Sequence, residues 1–132
     1  MPKFTLAGCI ILNKNRDILL LHRIKTGWYE LPGGKIGKNE KSAETAVREA
    51  KEELCCDVEI IKQVGKQDFE ENGYVMIYIW YLATIIKGNP VVGEPEKYNR
   101  VVYLPIKKLQ EYTLSPNMKN LVAAISDGTV VI

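Results

Sequence analysis

The sequence predicts an α/β fold in which a mixed β-sheet carries helices on its two faces. Its 132 residues are 46% hydrophobic and 26% charged, values typical of a globular domain with a substantial core. Apolar runs with the composition of strands alternate with segments of helical periodicity. No linker, repeat or low-complexity segment interrupts this order, so we expect residues 1–132 to form a single domain.

The first half is predicted to contain a β-hairpin, a glycine loop and a long helix. Residues 4–12 and 18–21 are apolar strand candidates, and the polar segment 13–17 between them suggests a hairpin turn. Residues 26–34 contain aromatic residues, a proline and a glycine pair, which predicts a loop. Residues 42–54 are predicted to be helical because their apolar side chains recur at helical spacing.

A second hairpin is predicted from two long apolar runs. Residues 58–69 and 74–86 have the composition of strands, and Asn72-Gly73 between them is a turn sequence typical of hairpins. The run 74–86 is apolar on both faces, which predicts a central strand. With 13 residues, this run is too short to cross a membrane as a helix.

The chain is predicted to end with a short strand and two helices. The strand is expected at residues 100–104, followed by a short helix at 105–111. Ser115 is expected to cap the last helix, which has Pro116 at its first position and runs to about residue 127. The order of elements places the long helix on one face of the sheet and the last helix on the other.

The charge balance and the cysteine content argue against several classes of protein. The chain has 18 Lys and Arg against 16 Asp and Glu, a weaker basic excess than proteins that wrap nucleic acid usually show. Its three cysteines contain no CxxC pair, which argues against a disulfide framework and against a zinc site. Because the N-terminus lacks the pattern of a signal peptide, we expect a soluble cytoplasmic protein with no membrane partner.

Three glutamates share one face of the predicted helix. At about 100° per residue, Glu49, Glu52 and Glu53 fall on a face separate from the apolar one. Acids at this spacing repel one another, by about 0.2–0.5 kcal/mol per close pair, unless a cation lies among them. Carboxylate oxygens on a rigid element suit Mg²⁺ or Mn²⁺, although a solvated charged helix would have the same pattern.

The segment before this helix is suited to phosphate groups. Gly33 and Gly34 allow the backbone to approach a ligand closely, and Lys35 offers a positive charge to phosphate oxygens. Glycine backbone, lysine, carboxylates and a metal together suit phosphate-ester or phosphoanhydride chemistry.

The spacing of these residues resembles the Nudix box, G-x5-E-x7-R-E-U-x-E-E-x-G-U, in which U is aliphatic. The matching residues are Gly34, Glu40, Arg48, Glu49, Glu52 and Glu53. Two positions depart from the pattern, because Cys55 replaces the glycine and Cys56 the aliphatic residue. Cys56 can act as a small hydrophobic residue. Cys55 puts the exit geometry of the helix in question, because a positive φ is expected there.

The resemblance implies a Nudix-type α/β/α sandwich and a metal-dependent hydrolase. Mg²⁺ or Mn²⁺ would be held by the carbonyl of Gly33 and by the three glutamates of the box, Glu49, Glu52 and Glu53. Arg48 would orient these glutamates, although an ordinary pair along the helix would use the same residues. Glu40 would be a supporting carboxylate or would only stabilise the helix start.

The general base remains open at this stage. The resemblance favours Glu53, with the loop residues Glu94 and Glu96 as alternatives, because family members often place a carboxylate in that loop. Glu96 is also a candidate metal ligand and Glu94 a supporting acid. A solvated position in the loop is the competing interpretation for both.

Within the family, the compact chain resembles MutT-like nucleoside triphosphate pyrophosphohydrolases, which release a nucleoside monophosphate and pyrophosphate. This implies phosphate contacts from Arg23, Gly34 and Lys35, base recognition by Asn117, and stacking by Trp28. The competing interpretations are a surface arginine at a strand end, capping of the last helix by Asn117, and structural packing of Trp28. The expected partner is a small nucleotide, for example a (d)NTP or its oxidised form.

Other family activities remain alternatives. Tyr74 lies where dinucleoside polyphosphate hydrolases have a tyrosine, whereas residues 67–72 lack the proline of ADP-ribose pyrophosphatases. A catalytically silent module that binds a nucleotide is a further alternative, although no acid of the box is missing. A homodimer is common in the family, but no interface can be identified in the sequence.

Overall fold

The computed structural model describes residues 2–132 and confirms the α/β class. The strands are β1 (Lys3–Ile11), β2 (Ile18–Arg23), β3 (Tyr29–Glu30), β4 (Gly33–Lys35), β5 (Asp57–Glu71), β6 (Tyr74–Lys87) and β7 (Tyr98–Leu104). The helices are α1 (Ser42–Leu54), a 3₁₀ helix (Ile106–Glu111) and α2 (Pro116–Ser126). Within residues 2–132, no helix combines the length and the apolar character needed to cross a membrane.

The strands form two sheets. The larger has the order β4-β1-β6-β5, with β1 and β6 parallel and the other neighbours antiparallel. The smaller is antiparallel and has the order β3-β2-β7. As its two-sided apolar sequence predicts, β6 is central, and its hairpin with β5 turns at Asn72 and Gly73, whose φ values are 52° and 80°.

The prediction that β1 and β2 form a hairpin is wrong. The two strands belong to different sheets, and within residues 2–132 they are linked by an isolated bridge between Leu12, just after β1, and Ile18. Asn13 does reverse the chain, since its Oδ1 accepts hydrogen bonds from the backbone N–H groups of Asn15 and Asp17. After the turn the strands diverge, because β1 pairs with β4 and β6 whereas β2 pairs with β3 and β7.

Several other boundaries differ from the prediction, two of them next to the candidate active site. The segment expected to be a loop at residues 26–34 contains β3 and the start of β4. These strands of two and three residues are too short to show an alternating pattern, and their glycines suggest a loop. Strand β7 begins at Tyr98 rather than at residue 100.

Side chains that alternate along the strands build a core on each side of the two sheets. From β2, Leu19 and Leu21 pack in the core with α1, and Ile18 and Leu20 pack in the core with α2. The two helices therefore cover opposite faces, as predicted for an α/β/α sandwich.

Both helices have the predicted ends. Helix α1 covers residues 42–54, and Cys55 follows it in a left-handed conformation with φ 59°. Helix α2 begins after Ser115, whose Oγ accepts a hydrogen bond from Met118 N at 3.2 Å. These ends bring the last turn of α1 against β4 and the first turn of α2 toward the same pocket.

Candidate active site

A pocket of about 920 Å³ contains most of the predicted substrate and metal residues. The predicted residues that line it are Arg23, Trp28, Gly33, Gly34, Lys35, Glu49, Glu53 and Asn117. They come from β2, β4, α1, α2 and the segment before β3, so the fold gathers distant parts of the chain around one cavity.

Glu53 lies at the border between this pocket and the core. Glu53 is only 3% exposed, which contradicts the expected separation of the glutamate face from the core. The carboxylate accepts hydrogen bonds from Gly33 N at 2.8 Å and from the Tyr98 hydroxyl at 3.1 Å. Burial raises the pKa of Glu53 well above its ordinary value, and the negative charge of Glu49 adds to the shift.

Glu49 lies directly against the glycine segment. A Cβ at Gly34 would be 2.5 Å from Oε1 of Glu49, so a side chain at this position would displace this carboxylate. Burial also raises the pKa of Glu49, although Arg48 opposes the shift. The glycine predicted to approach a ligand therefore already accommodates an acidic side chain of the box.

Arg48 connects three of the acids. Its guanidinium donates to Glu40 at 2.7 Å through Nε, and to Glu52 at 3.0 Å and Glu49 at 3.2 Å through Nη1. The hydrogen bond from Arg48 is the main reason why the pKa of Glu40 falls to about 2. Glu40 also accepts from Gly37 N, so the turn before α1 anchors the arginine.

The two acids of the loop after β6, Glu94 and Glu96, have different environments. Glu94 Oε1 is buried without a hydrogen-bond partner among residues 2–132, and Glu94 Oε2 lies 3.5 Å from Lys97 Nζ. Glu94 is also close enough to Glu49 to contribute to its raised pKa. In contrast, Glu96 is exposed, and neither of the two acids lines the pocket.

No three His, Cys, Asp or Glu side chains within residues 2–132 converge as a preformed metal-ligand set. Glu52 is turned to Arg48, and Glu53 is held by Gly33 N and the Tyr98 hydroxyl. The donors nevertheless fit a hard divalent cation. Glu49 and Glu53 are neighbouring carboxylates with raised pKa values, and Glu94 has an unpartnered buried oxygen.

Arg23 is paired within the protein. Its guanidinium donates to both carboxylate oxygens of Glu30, at 2.6 and 2.8 Å, and to the Tyr98 hydroxyl at 2.9 Å. Only Nη1 donates no hydrogen bond to any residue from 2 to 132. Arg23 is therefore positioned to offer one edge of its guanidinium, rather than the whole group, to a ligand.

Trp28 and its neighbour Tyr29 have different environments. Trp28 lines the pocket and donates its indole N–H to Glu30 at 2.7 Å. Tyr29 is buried in the core and makes an edge contact with Tyr112. Glu30 was not identified from the sequence, although its position two residues after Trp28 on extended backbone is a signal that both face the same side.

Asn117 lines the pocket and does not cap α2. It is 5% exposed, and its Oδ1 accepts a hydrogen bond from the indole N–H of Trp80 at 2.9 Å. Ser115 caps the helix instead. On the opposite side, Lys35 places its Nζ 4.1 Å from the centre of the Phe4 ring.

A family model of the NUDIX domain matches residues 3–125. Among solved structures, the chain is similar to the MutT NUDIX hydrolase of Burkholderia pseudomallei, with a TM-score of 0.84 and 25% identity over 93% of this chain and 98% of that one. It also shares its fold with a C. elegans Ap4A hydrolase, at a TM-score of 0.76 and 17% identity over 94% of this chain and 96% of that one.

A curated relative from Bacillus subtilis bears the name "Putative 8-oxo-dGTP diphosphatase". It is 36% identical over 59 residues, which are 45% of this chain and 40% of the relative. The match therefore covers less than half of either protein.

Proposed function

The chain belongs to the NUDIX domain family, and from this premise we propose that it converts a (d)NTP to a nucleoside monophosphate and pyrophosphate. One observation carries the proposal. A single pocket is lined both by the neighbouring carboxylates Glu49 and Glu53, whose pKa values burial raises, and by Trp28 and Asn117, an aromatic ring and an amide suited to a nucleobase. The names of the similar MutT and 8-oxo-dGTP proteins support a nucleoside triphosphate, and an oxidised one in particular.

The metal ligands are proposed from the chemistry of the donors. Glu49, Glu53 and the carbonyl of Gly33 would hold Mg²⁺ or Mn²⁺, with Glu52 completing the family's set. Glu94 replaces Glu96 as the loop candidate, because Glu94 has the buried, unpartnered oxygen. A bound divalent cation neutralises phosphate charge and lowers the pKa of a water molecule.

The protein's own groups have three tasks in this proposal. Arg48 restrains Glu49 and Glu52 through the hydrogen bonds of one guanidinium. The pocket binds the base against Trp28 and Asn117 and the phosphates near Lys35 and the free edge of Arg23.

The third task is to take the proton of the attacking water. Glu53 and Glu94 remain the candidates. Both oxygens of Glu53 already accept a hydrogen bond from the protein, whereas Oε1 of Glu94 accepts none from residues 2–132.

The test is hydrolysis by the purified chain with Mg²⁺ of dNTPs, 8-oxo-dGTP, ADP-ribose and diadenosine polyphosphates. Pyrophosphate release from a triphosphate is the expected result, and Glu53→Gln should reduce it by about 100-fold or more. Preferential cleavage of diadenosine polyphosphates or ADP-ribose would replace the proposed substrate. No hydrolysis of any compound would leave a nucleotide-binding module and overturn the enzymatic proposal.

Two matched variants test the loop. Glu94→Gln and Glu96→Gln remove the same charge from positions two residues apart. We expect a loss of activity of about 100-fold for Glu94→Gln and of less than about twofold for Glu96→Gln. Equal activities of the two variants would exclude Glu94 as base and ligand.

A further inference from the structure

Glu30 accepts three hydrogen bonds from Arg23 and Trp28 inside the pocket and also lies beside the Tyr98 hydroxyl. Its Oε1 accepts from Arg23 Nε at 2.6 Å and from Trp28 Nε1 at 2.7 Å. Its Oε2 accepts from Arg23 Nη2 at 2.8 Å and lies 3.2 Å from the Tyr98 hydroxyl, which shares its one proton between Glu30 and Glu53. One carboxylate therefore contacts a cation, an indole and a phenol that all line the same cavity.

The contacts with Arg23, Trp28 and Tyr98 surround both oxygens of the Glu30 carboxylate. An ionised carboxylate offers about four lone-pair positions, and each oxygen of Glu30 already faces two donors. The carboxylate of Glu30 therefore faces groups of the protein rather than a substrate hydroxyl or amine. Its influence on a ligand must pass through the groups that it holds.

Arg23 and Trp28, which Glu30 holds, offer different atoms to a ligand. The bidentate pair orients the plane of the Arg23 guanidinium and leaves Nη1 without a hydrogen bond to residues 2–132. The bond to Trp28 fixes the rotation of the indole ring in the pocket. The Tyr98 hydroxyl lies 3.1 Å from Glu53 Oε2, so the cluster reaches the proposed metal side.

We propose that Glu30 is a positioning residue that holds Trp28 and Arg23 in the orientations that receive the base and a phosphate of a nucleotide. The orientation of the two side chains follows from geometry alone. The nature of the ligand rests on the function proposed above.

Glu30→Gln is the variant of choice because it keeps the size of the side chain but not its accepting capacity. A glutamine has one acceptor oxygen, so its amide nitrogen must face donors, either Arg23 Nη2 and Tyr98 or Arg23 Nε and Trp28. Glu70→Gln is the matched control. Glu70 is exposed on β5 next to the pocket but does not line it, so this variant removes the same charge without the contacts.

The kinetic measurement uses dGTP with Mg²⁺. We expect Glu30→Gln to raise KM by about tenfold and to change kcat by less than about threefold, because binding geometry rather than chemistry is lost. Glu70→Gln should change KM by less than about twofold. An equal rise of KM in both variants would show that only charge matters and would overturn the proposal.

A second measurement needs no activity. Trp80 is 1% exposed, so quenching of tryptophan fluorescence by acrylamide reports mainly on Trp28. In Glu30→Gln the quenching constant should rise by about twofold, because a released indole can change rotamer. An unchanged constant would overturn the positioning role even if the protein hydrolyses no nucleotide.

Trp28→Phe keeps the proposal testable if Glu30→Gln does not fold. This variant retains a smaller aromatic ring in the pocket and removes the N–H that Glu30 accepts. KM for dGTP should rise by about three- to tenfold. A KM equal to that of the parent would contradict the proposed positioning of Trp28.

Discussion

Burial of the Glu53 side chain disfavours its ionised form. Its carboxylate is nearly inaccessible and lies beside Glu49, so the raised pKa means that ionisation costs stability as the pH increases above about 4.5. We expect Glu53→Gln to raise the Tm of the metal-free protein at pH 8 by about 3–6 °C, while the activity is lost.

The pH dependence distinguishes this explanation from a general packing effect. Unfolding in EDTA should show that the stabilisation by Glu53→Gln grows between pH 5 and pH 8, because only the parent carries the unfavourable ionisation of Glu53 over that range. Glu52→Gln is the control, since the Glu52 side chain is 45% exposed. A lower Tm of Glu53→Gln at pH 8 would contradict the prediction.

Asn117 allows the base contact to be tested with little effect on packing. In Asn117→Asp one oxygen can still accept the indole N–H of Trp80, but the NH₂ donor is replaced by a negative oxygen. We expect kcat/KM for dGTP to fall by about tenfold or more, since the amide is proposed to donate to the base. Steady-state kinetics and circular dichroism measure the effect, and an unchanged kcat/KM would exclude Asn117 from base recognition.

The end of α1 shows a local conflict between residue type and conformation. Cys55 has φ 59° and ψ 31°, a left-handed conformation that a side chain disfavours and glycine accepts readily. The sequence comparison already indicates this conflict, because the family pattern has glycine at this position. The N–H of Cys55 donates to Lys51 O at 3.1 Å and closes the helix despite the strain.

Replacing Cys55 should therefore stabilise the protein. We expect Cys55→Gly to increase the free energy of unfolding by about 0.5–1 kcal/mol, measured by urea denaturation. Cys55→Ala removes the thiol but keeps the Cβ, so it should give no comparable gain. A gain of the same size in Cys55→Ala would assign the effect to the thiol rather than to the backbone.

Elements defined by local signals could be predicted from the sequence, whereas the pairing of strands that are distant in the chain could not. The periodicity of α1, the Ser115 cap and the Asn72-Gly73 turn depend on neighbouring residues, and each has the predicted structure. The pairing of β1 depends on β4 and β6, which are distant in the chain, so a polar turn was mistaken for evidence of a hairpin.

The same distinction applies to the site. Glu49 and Glu53 lie on one helix at a recognisable spacing and could be selected before the structure was known. Glu30 and Tyr98 could not, because their contacts join β3, β7 and α1. The predicted separation of Glu53 from the core is wrong, since helix geometry alone does not show that the glycine segment of β4 covers it.

At the scale of the whole molecule, the loop between β6 and β7 joins the box helix to the smaller sheet. Val91 N and Gly93 N donate to the carbonyls of Leu54 and Glu53, which are free at the end of α1. Lys97 O accepts from Ile24 N just after β2. The loop thus satisfies the helix terminus and at the same time carries Glu94 toward Glu49.

Gly93 is the point where this docking depends on the absence of a side chain. A Cβ there would collide with Glu52 O and lie 3.1 Å from Cys55 Sγ. Gly93→Ala must therefore move the loop away from α1 and displace Glu94. We expect kcat to fall by about tenfold or more, because misplacement of a catalytic group by about 1 Å is enough for a loss of this order.

The control is Pro95→Ala, an exposed substitution in the same loop, which should leave kcat within about twofold of the parent. Kinetics with the best substrate and thermal unfolding should be measured together, because the lost hydrogen bonds of the helix terminus should also lower the Tm of Gly93→Ala. A Gly93→Ala protein with full kcat would show that the position of Glu94 does not depend on this docking. The loop would then serve only to terminate α1.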